Sequence, residues 1–157
     1  MSTLPVTQQS AINLAIQHWY RQFKWKAQDS SSNPVGDASI ATVHLGSLSE
    51  DDLIVTDQSG CSPTGNCSIL VLRPAKDRYR VVLEAIGQTL TATPTRADGF
   101  RNIKVRMHGS ATMSTIKVYK FNGNRYLRAG CYDENFEMLD GAGNLRELKK
   151  PQITPCR

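Results

Sequence analysis

Cys61, Cys67, Cys131 and Cys156 could do three kinds of chemistry: ligate a metal, exchange thiols, or cross-link the chain. Zinc sites bring cysteines in pairs about two to four residues apart, with histidine often nearby. Here "CSPTGNC" (61–67) puts five residues between the first two, twenty-four separate the last two, and His18, His44 and His108 are scattered. A thiol redox pair needs Cys-x-x-Cys beside a βαβ unit, and the chain has none. Cross-linking fits better. Pro63 and Gly65 can fold the short loop back on itself, which brings its ends within bridging range. Cys131 closes a strand-like segment and Cys156 sits beside the C-terminal residue, so a bond between them would pin a tail that otherwise frays. Of the three pairings that four cysteines allow, 61–67 with 131–156 is expected. Loop entropy makes the short ring worth about 2 kcal/mol and the long one about 3 to 4 kcal/mol. Two bridges imply an oxidising compartment. The alternative is buried free thiols in a cytosolic protein.

Other reactive types do not assemble into a set. Ser110 follows His108 by two residues in "HGSATM", but without the tight glycine-flanked turn of a nucleophile elbow. Asp51 and Asp52 are adjacent, so in a strand they point to opposite faces and make a poor acid–base pair. Glu84 stands in the apolar "RVVLEAIG" and reads as an outward charge. "DGAGN" (140–144) is rich in glycine but follows no phosphate-loop pattern, so it reads as a turn. No catalytic residue, cofactor or metal is expected, and the chain reads as a non-enzyme.

The elements that would position any site follow from periodicity. The chain has 157 residues, 39% apolar and 21% charged, the size and make-up of one globular domain. No apolar run approaches the roughly 20 residues of a membrane span. "MSTLPVTQQS" has neither the basic start nor the apolar stretch of a signal peptide, so Met1 reads either as native or as replacing a removed signal. In "QQSAINLAIQHWYRQFKWKA", Ile12, Ala15, Ile16, Trp19, Tyr20 and Phe23 recur at helical spacing. This predicts a helix over 7–27, capped by Thr7, with Lys24 and Lys26 in its last turn. After "QDSSSNPVGD" the period drops to two. Eight strand-like segments follow, from "SIATVHL" (39–45) to "RYLRAGCY" (125–132), and Asn122-Gly123 is the strongest hairpin turn among them. "SILVLRPAKDRYRVV" and "TIKVYKFNGNRYLRA" superpose at an offset of 47 residues, matching Arg78 to Arg125 and Tyr79 to Tyr126. They suggest two similar hairpins in one meander, with each tyrosine hydroxyl reaching solvent. The expected fold is α+β: an amphipathic N-terminal helix on a mainly antiparallel meander of about seven or eight strands. The expected organisation is a single domain over 1–157, with the sheet over 38–132 and a disulfide-pinned tail over 133–157.

Charge adds a direction. The net charge is +5, and eight basic residues against one acid lie between Arg96 and Arg128. The segment from Gly46 to Asp57 carries four acids and no base. Arg101, Lys104, Arg106, Lys117, Lys120 and Arg125 form a candidate patch for an anionic partner, interleaved with Phe100, Tyr119, Phe121 and Tyr126. On an exported protein such a face would meet an acidic protein, an anionic glycan or a lipid head group more naturally than nucleic acid.

"LGSLSEDDLIVTD" resembles the strand element of FG-GAP or VCBS-type repeats. "GCSPTGNCSILVLRPAKDRYRVVLE" resembles the strand–cysteine loop–strand segment of small exported bacterial proteins, some attached to lysozyme-inhibitor-like domains. Together the two cover roughly 40 to 130. The resemblance implies antiparallel strands and an exported context, but not the calcium site of the repeat. Gly46, Ser47, Leu48 and Ser49 stand where its ligands would be, and only Asp52 remains. The function expected is a periplasmic or secreted binding domain, an inhibitor or immunity-type protein that masks a partner. Inhibition of a basic lysozyme meets long-range repulsion from a +5 chain, which the acidic segment could offset locally. A small exported hydrolase using His108 or His44 and a cytosolic nucleic-acid-binding domain are the alternatives. The cysteines separate these classes. Intact mass after alkylation should show four added groups only when the native protein is first reduced, and four additions without reductant would remove the case for export.

Overall fold

The computed structural model describes residues 5–22, 38–46, 50–58 and 60–156. Pro5 lacks an N–H and lends only its carbonyl to the helix start, accepting from Gln8 N at 2.9 Å and Gln9 N at 3.0 Å. The helix α1 therefore runs Val6–Gln22, and Thr7 lies in its first turn instead of capping it. The predicted continuation through Phe23, Lys24 and Lys26, and the loop over 28–37, lie outside the described residues. Nine strands follow among the described residues. Those of the first sheet are β1 (Ala38–Val43), β2 (Asp52–Asp57), β3 (Cys67–Ala75) and β4 (Arg78–Gly87). Those of the second are β5 (Thr89–Ala97), β6 (Phe100–Ser110), β7 (Met113–Phe121), β8 (Tyr126–Leu139) and β9 (Leu145–Pro155).

The expected single meander is in fact two. β1-β2-β3-β4 form one antiparallel sheet and β5-β6-β7-β8-β9 another, each in chain order. The two repeat hairpins fall one in each sheet, β3–β4 in the first and β7–β8 in the second. The expected tail is a strand as well. β8 runs on to Leu139, and β9 returns along it after a turn in which Asp140 Oδ1 accepts from Ala142 N and Asn144 N. Those N–H donors hold the Asp140 carboxyl below its usual range.

Side-chain alternation explains the layering. Along β3, Ile69 and Val71 face the second sheet, and Leu70 and Leu72 face α1. The first face joins Leu83, Ala85, Ile103, Val105, Tyr119, Phe121 and Tyr126 in the core between the sheets. The second joins Ile12, Ile16, Trp19, Leu53 and Val55 under the helix. The result is three layers, helix on sheet on sheet. β3 pairs with β4 in two registers, Val71↔Leu83 and Leu72↔Val81, which leaves Val82 as a bulge on β4.

The chain changes sheets at Gly87. Gln88 N donates to Arg106 O at 2.8 Å, and a Cβ on Gly87 would lie 2.5 Å from Val105 Cγ1 and 2.7 Å from Arg106 O. Backbone cannot retreat as a side-chain tip can, so only glycine fits. Both disulfides form as expected, Cys61–Cys67 and Cys131–Cys156. The first closes a loop that Asn66 hooks onto β6: its Nδ2 donates to His108 O at 2.7 Å and its Oδ1 accepts from His108 N at 2.8 Å. The second ties the end of β9 to β8.

Urea unfolding followed by tryptophan fluorescence should separate these contributions. Leu72→Ala should cost about 2 to 5 kcal/mol as a large-to-small change in a buried site. Gly87→Ala should cost about 1 to 3 kcal/mol by overpacking. Glu84→Ala, an exposed change, should stay within about 0.5 kcal/mol. A neutral Gly87→Ala would refute the close approach of the two sheets there.

Candidate binding groove

Two clusters of charged and aromatic side chains stand out, and burial tells them apart. The first closes one end of the inter-sheet core. Asp52 at the start of β2 accepts from Arg73 Nε at 2.8 Å and from Arg73 Nη2 at 3.3 Å, a two-pronged pair with the carboxylate side chain 3% exposed. The Arg73 guanidinium carbon lies 3.9 Å from the Phe100 ring centre and 4.5 Å from that of Phe121. Phe121 stacks at a tilt on Tyr126, whose hydroxyl donates to Arg101 O at 2.9 Å. Burial pushes the Tyr126 hydroxyl up to about 12. Burial also raises the Asp52 carboxyl, against the opposing pull of Arg73. The hydroxyl expected in solvent is thus buried. Its repeat mate Tyr79 turns the other way, toward α1, where its oxygen accepts from Gln8 Nε2 at 2.6 Å. Asp52, the residue kept from the repeat resemblance, is taken by Arg73.

The second cluster is open. A groove of about 820 Å³ runs between α1, β4 and the start of β8. Ala11, Leu14, Ala15 and His18 form its helical wall, a stripe at 3 and 4 spacing beside the core stripe of Ile12, Ile16 and Trp19. Leu14 is 68% exposed, an apolar lip. The sheet wall is β4 from Arg78 to Glu84, the last strand of its sheet, which pairs with β3 alone among the described residues. The third wall is Arg125 to Arg128. It is placed by the Asn122-Gly123 turn, where Asn122 Oδ1 accepts from Arg125 N at 2.9 Å and Gly123 takes φ 86°. Arg80 Nη1 donates to Asn124 Oδ1 at 2.7 Å across one end. Four arginines (Arg78, Arg80, Arg125 and Arg128) face two acids, Asp77 and Glu84, so the lining is net basic. Beyond Arg128 a second hollow of about 510 Å³ continues to Thr115, Asp133 and the Cys131–Cys156 bridge.

The six residues expected to form one patch are spread over sheet two. Lys104 and Arg106 pair in register with Val118 and Ile116, on the side away from the core, and Arg106 is bonded to Glu134 at 2.8 Å. Lys120 lies on that side too, opposite Leu127 and one residue out of phase with the buried Phe121. Arg101 donates to Thr93 O at 3.0 Å and Ala92 O at 3.1 Å, within the irregular part of β5. Lys117 sits on the core-facing side, across from Val105 and Cys131. Arg125 alone of the six lines the groove. Arg78, Arg80, Arg128 and the helical stripe were not anticipated. Their signal was the repeat, since its two "RY" segments supply two of the three walls.

No family model matches the chain, and neither a curated protein nor a solved structure matches it. No helix among the described residues is long and apolar enough to cross a membrane.

The buried pair makes a prediction about pH. Without Arg73, burial acts on Asp52 with only the weaker pull of His44 against it, and its carboxyl rises further above the ordinary 3.8. The folded state then keeps a proton that the unfolded state releases, so stability falls as pH rises through that window. Arg73→Met should therefore cost little near pH 4 and about 3 to 5 kcal/mol near pH 7.5. Equal losses at the two pH values in urea titrations would show that the pair does not govern the carboxyl.

Proposed function

We propose that this protein is a non-enzymatic binding domain, periplasmic or secreted, that holds an anionic partner in the groove between α1, β4 and β8. The observation that carries this reading is the groove's lining: four exposed arginines around an apolar lip and a strand edge that no other strand among the described residues pairs. Guanidinium groups pair with carboxylates, sulfates and phosphates in two-pronged fashion, and a concave site strengthens such contacts by limiting water. Two disulfides support an oxidising compartment. The resemblance of 60–84 to exported bacterial segments supports the same context. A groove of about 820 Å³ lined by three elements is compatible with masking another protein's surface, the inhibitor or immunity-type reading in its physical form.

The test uses the whole oxidised chain and three probes: a glutamate-rich peptide, a heparin-derived oligosaccharide and a lysine-rich peptide. Calorimetry should show binding of at least one anionic probe, weakening as salt rises. Arg80→Glu combined with Arg128→Glu should weaken it by about tenfold or more, equivalent to about 1.4 kcal/mol. Equal binding of the lysine-rich peptide, or indifference to the charge reversal, would end this reading.

A further inference from the structure

We propose that β4 accepts an extended, acid-rich peptide as an added strand, seated between α1 and the Arg125–Arg128 stretch of β8; this rests on the groove being an anion site. The argument begins at Pro74. It stands opposite Tyr79 in the β3–β4 ladder, and proline has no N–H to donate. Pro74↔Tyr79 is therefore a pair without mutual hydrogen bonds. In an antiparallel ladder the residues of such a pair direct their N–H and C=O groups away from each other. Arg73↔Arg80 is then a bonded pair, and Leu72↔Val81 again is not. Tyr79 and Val81 thus aim their backbone groups into the groove, while their side chains pack toward the helix.

That row is a template for main-chain pairing, about 4.8 Å from the strand it would receive. Anionic sugars and nucleic acids could satisfy the arginines, but they lack the alternating donor and acceptor spacing that the strand edge offers. The side-chain pockets follow from the walls. Residues of the added strand that point to α1 would meet Leu14, Ala11 and Ala15, which favour apolar groups. Residues that point to β8 would meet Arg125 and Arg128, which favour carboxylates. The matching sequence alternates apolar and acidic residues. The Val82 bulge ends the regular edge, so the regular contact spans Arg78 to Val81.

The experiment displays random peptides of about ten residues against the oxidised protein, a length that covers one strand. Selected peptides should be acid-rich with apolar alternation. N-methylation of alternate backbone nitrogens should then weaken binding about tenfold in one phase and leave the other phase unaffected, because only one phase faces β4. Amide exchange at Tyr79 and Val81 should slow in the complex. Acid-rich peptides that bind equally well in both N-methylated phases would overturn strand addition and leave the anion site standing. No enriched peptide, with a heparin-derived oligosaccharide binding in the groove, would overturn the peptide class alone. Enriched peptides without acids, unaffected by Arg80→Glu with Arg128→Glu, would remove both readings. Thermal unfolding of that double variant should match the parent, since both arginines are exposed.

Discussion

The structure depends on one strand being apolar on both faces. β3 lies under α1 on one side and over the second sheet on the other, so Leu70 and Leu72 serve one core while Ile69 and Val71 serve the other. All four are at most 3% exposed. A strand with one polar face could anchor the helix or the second sheet, but not both. Each such side chain contributes about 1.5 to 3 kcal/mol by burial, before the entropy of ordering the chain is set against it. Its neighbours carry less of this demand. β4 is exposed at Arg78, Arg80, Glu84 and Ile86, and β1 is exposed along most of its length.

The groove is a consequence of this layering. Four strands cannot cover five, and the uncovered part of sheet two is the core-facing side of β8, with Arg128 across from Tyr119 and Cys131 across from Lys117. The helix covers the face of the first sheet but leaves its β4 edge open. An open edge invites unwanted pairing, and proteins blunt it with charges, bulges and short regular stretches. β4 has all three: Arg78, Arg80 and Glu84, the Val82 bulge, and two short regular stretches, Arg78 to Val81 and Leu83 to Gly87. These devices limit non-specific association. On the proposed reading they would also make the edge selective, since a basic rim would favour an acidic strand over a basic one.

The sequence disclosed local structure far better than assembly. Period two, or in β3 a short apolar run, marks β1 to β8, and Asn122-Gly123 and Asp98-Gly99 mark tight turns with left-handed glycines, φ 86° and 78°. The bridges were legible because loop closure and a frayed end leave few sensible pairings. The break into two sheets was not, because Gly87 looks like any strand-ending glycine until Val105 and Arg106 are seen against it. β9 was missed because "LRELKKPQITP" alternates poorly and holds two prolines, which an edge strand tolerates and a central one does not. The basic patch failed for a related reason. Alternation alone puts Lys104 and Lys117 on faces of their own strands, and only the Lys104↔Val118 and Val105↔Lys117 register shows that these faces are opposite. The repeat held more than it disclosed, since both of its arginine–tyrosine segments meet at the groove although their hairpins lie in different sheets.

The acids bear on the proposed partner. A domain that masked a basic protein would have to present carboxylates, and the acidic segment around Asp51 and Asp52 was the natural source. Asp52 is buried against Arg73, and Asp51 is bonded to His44 at 3.2 Å. Asp57 turns back to Gly60 N at 3.2 Å. Of that charge Asp52 is spent inside the fold, and Asp51, about half exposed, is shared with His44. The arginines of the groove are not: apart from the Arg80–Asn124 bond they face solvent around an open strand edge. On the proposed reading, long-range attraction and short-range pairing at the groove would both favour an acidic partner over a basic one.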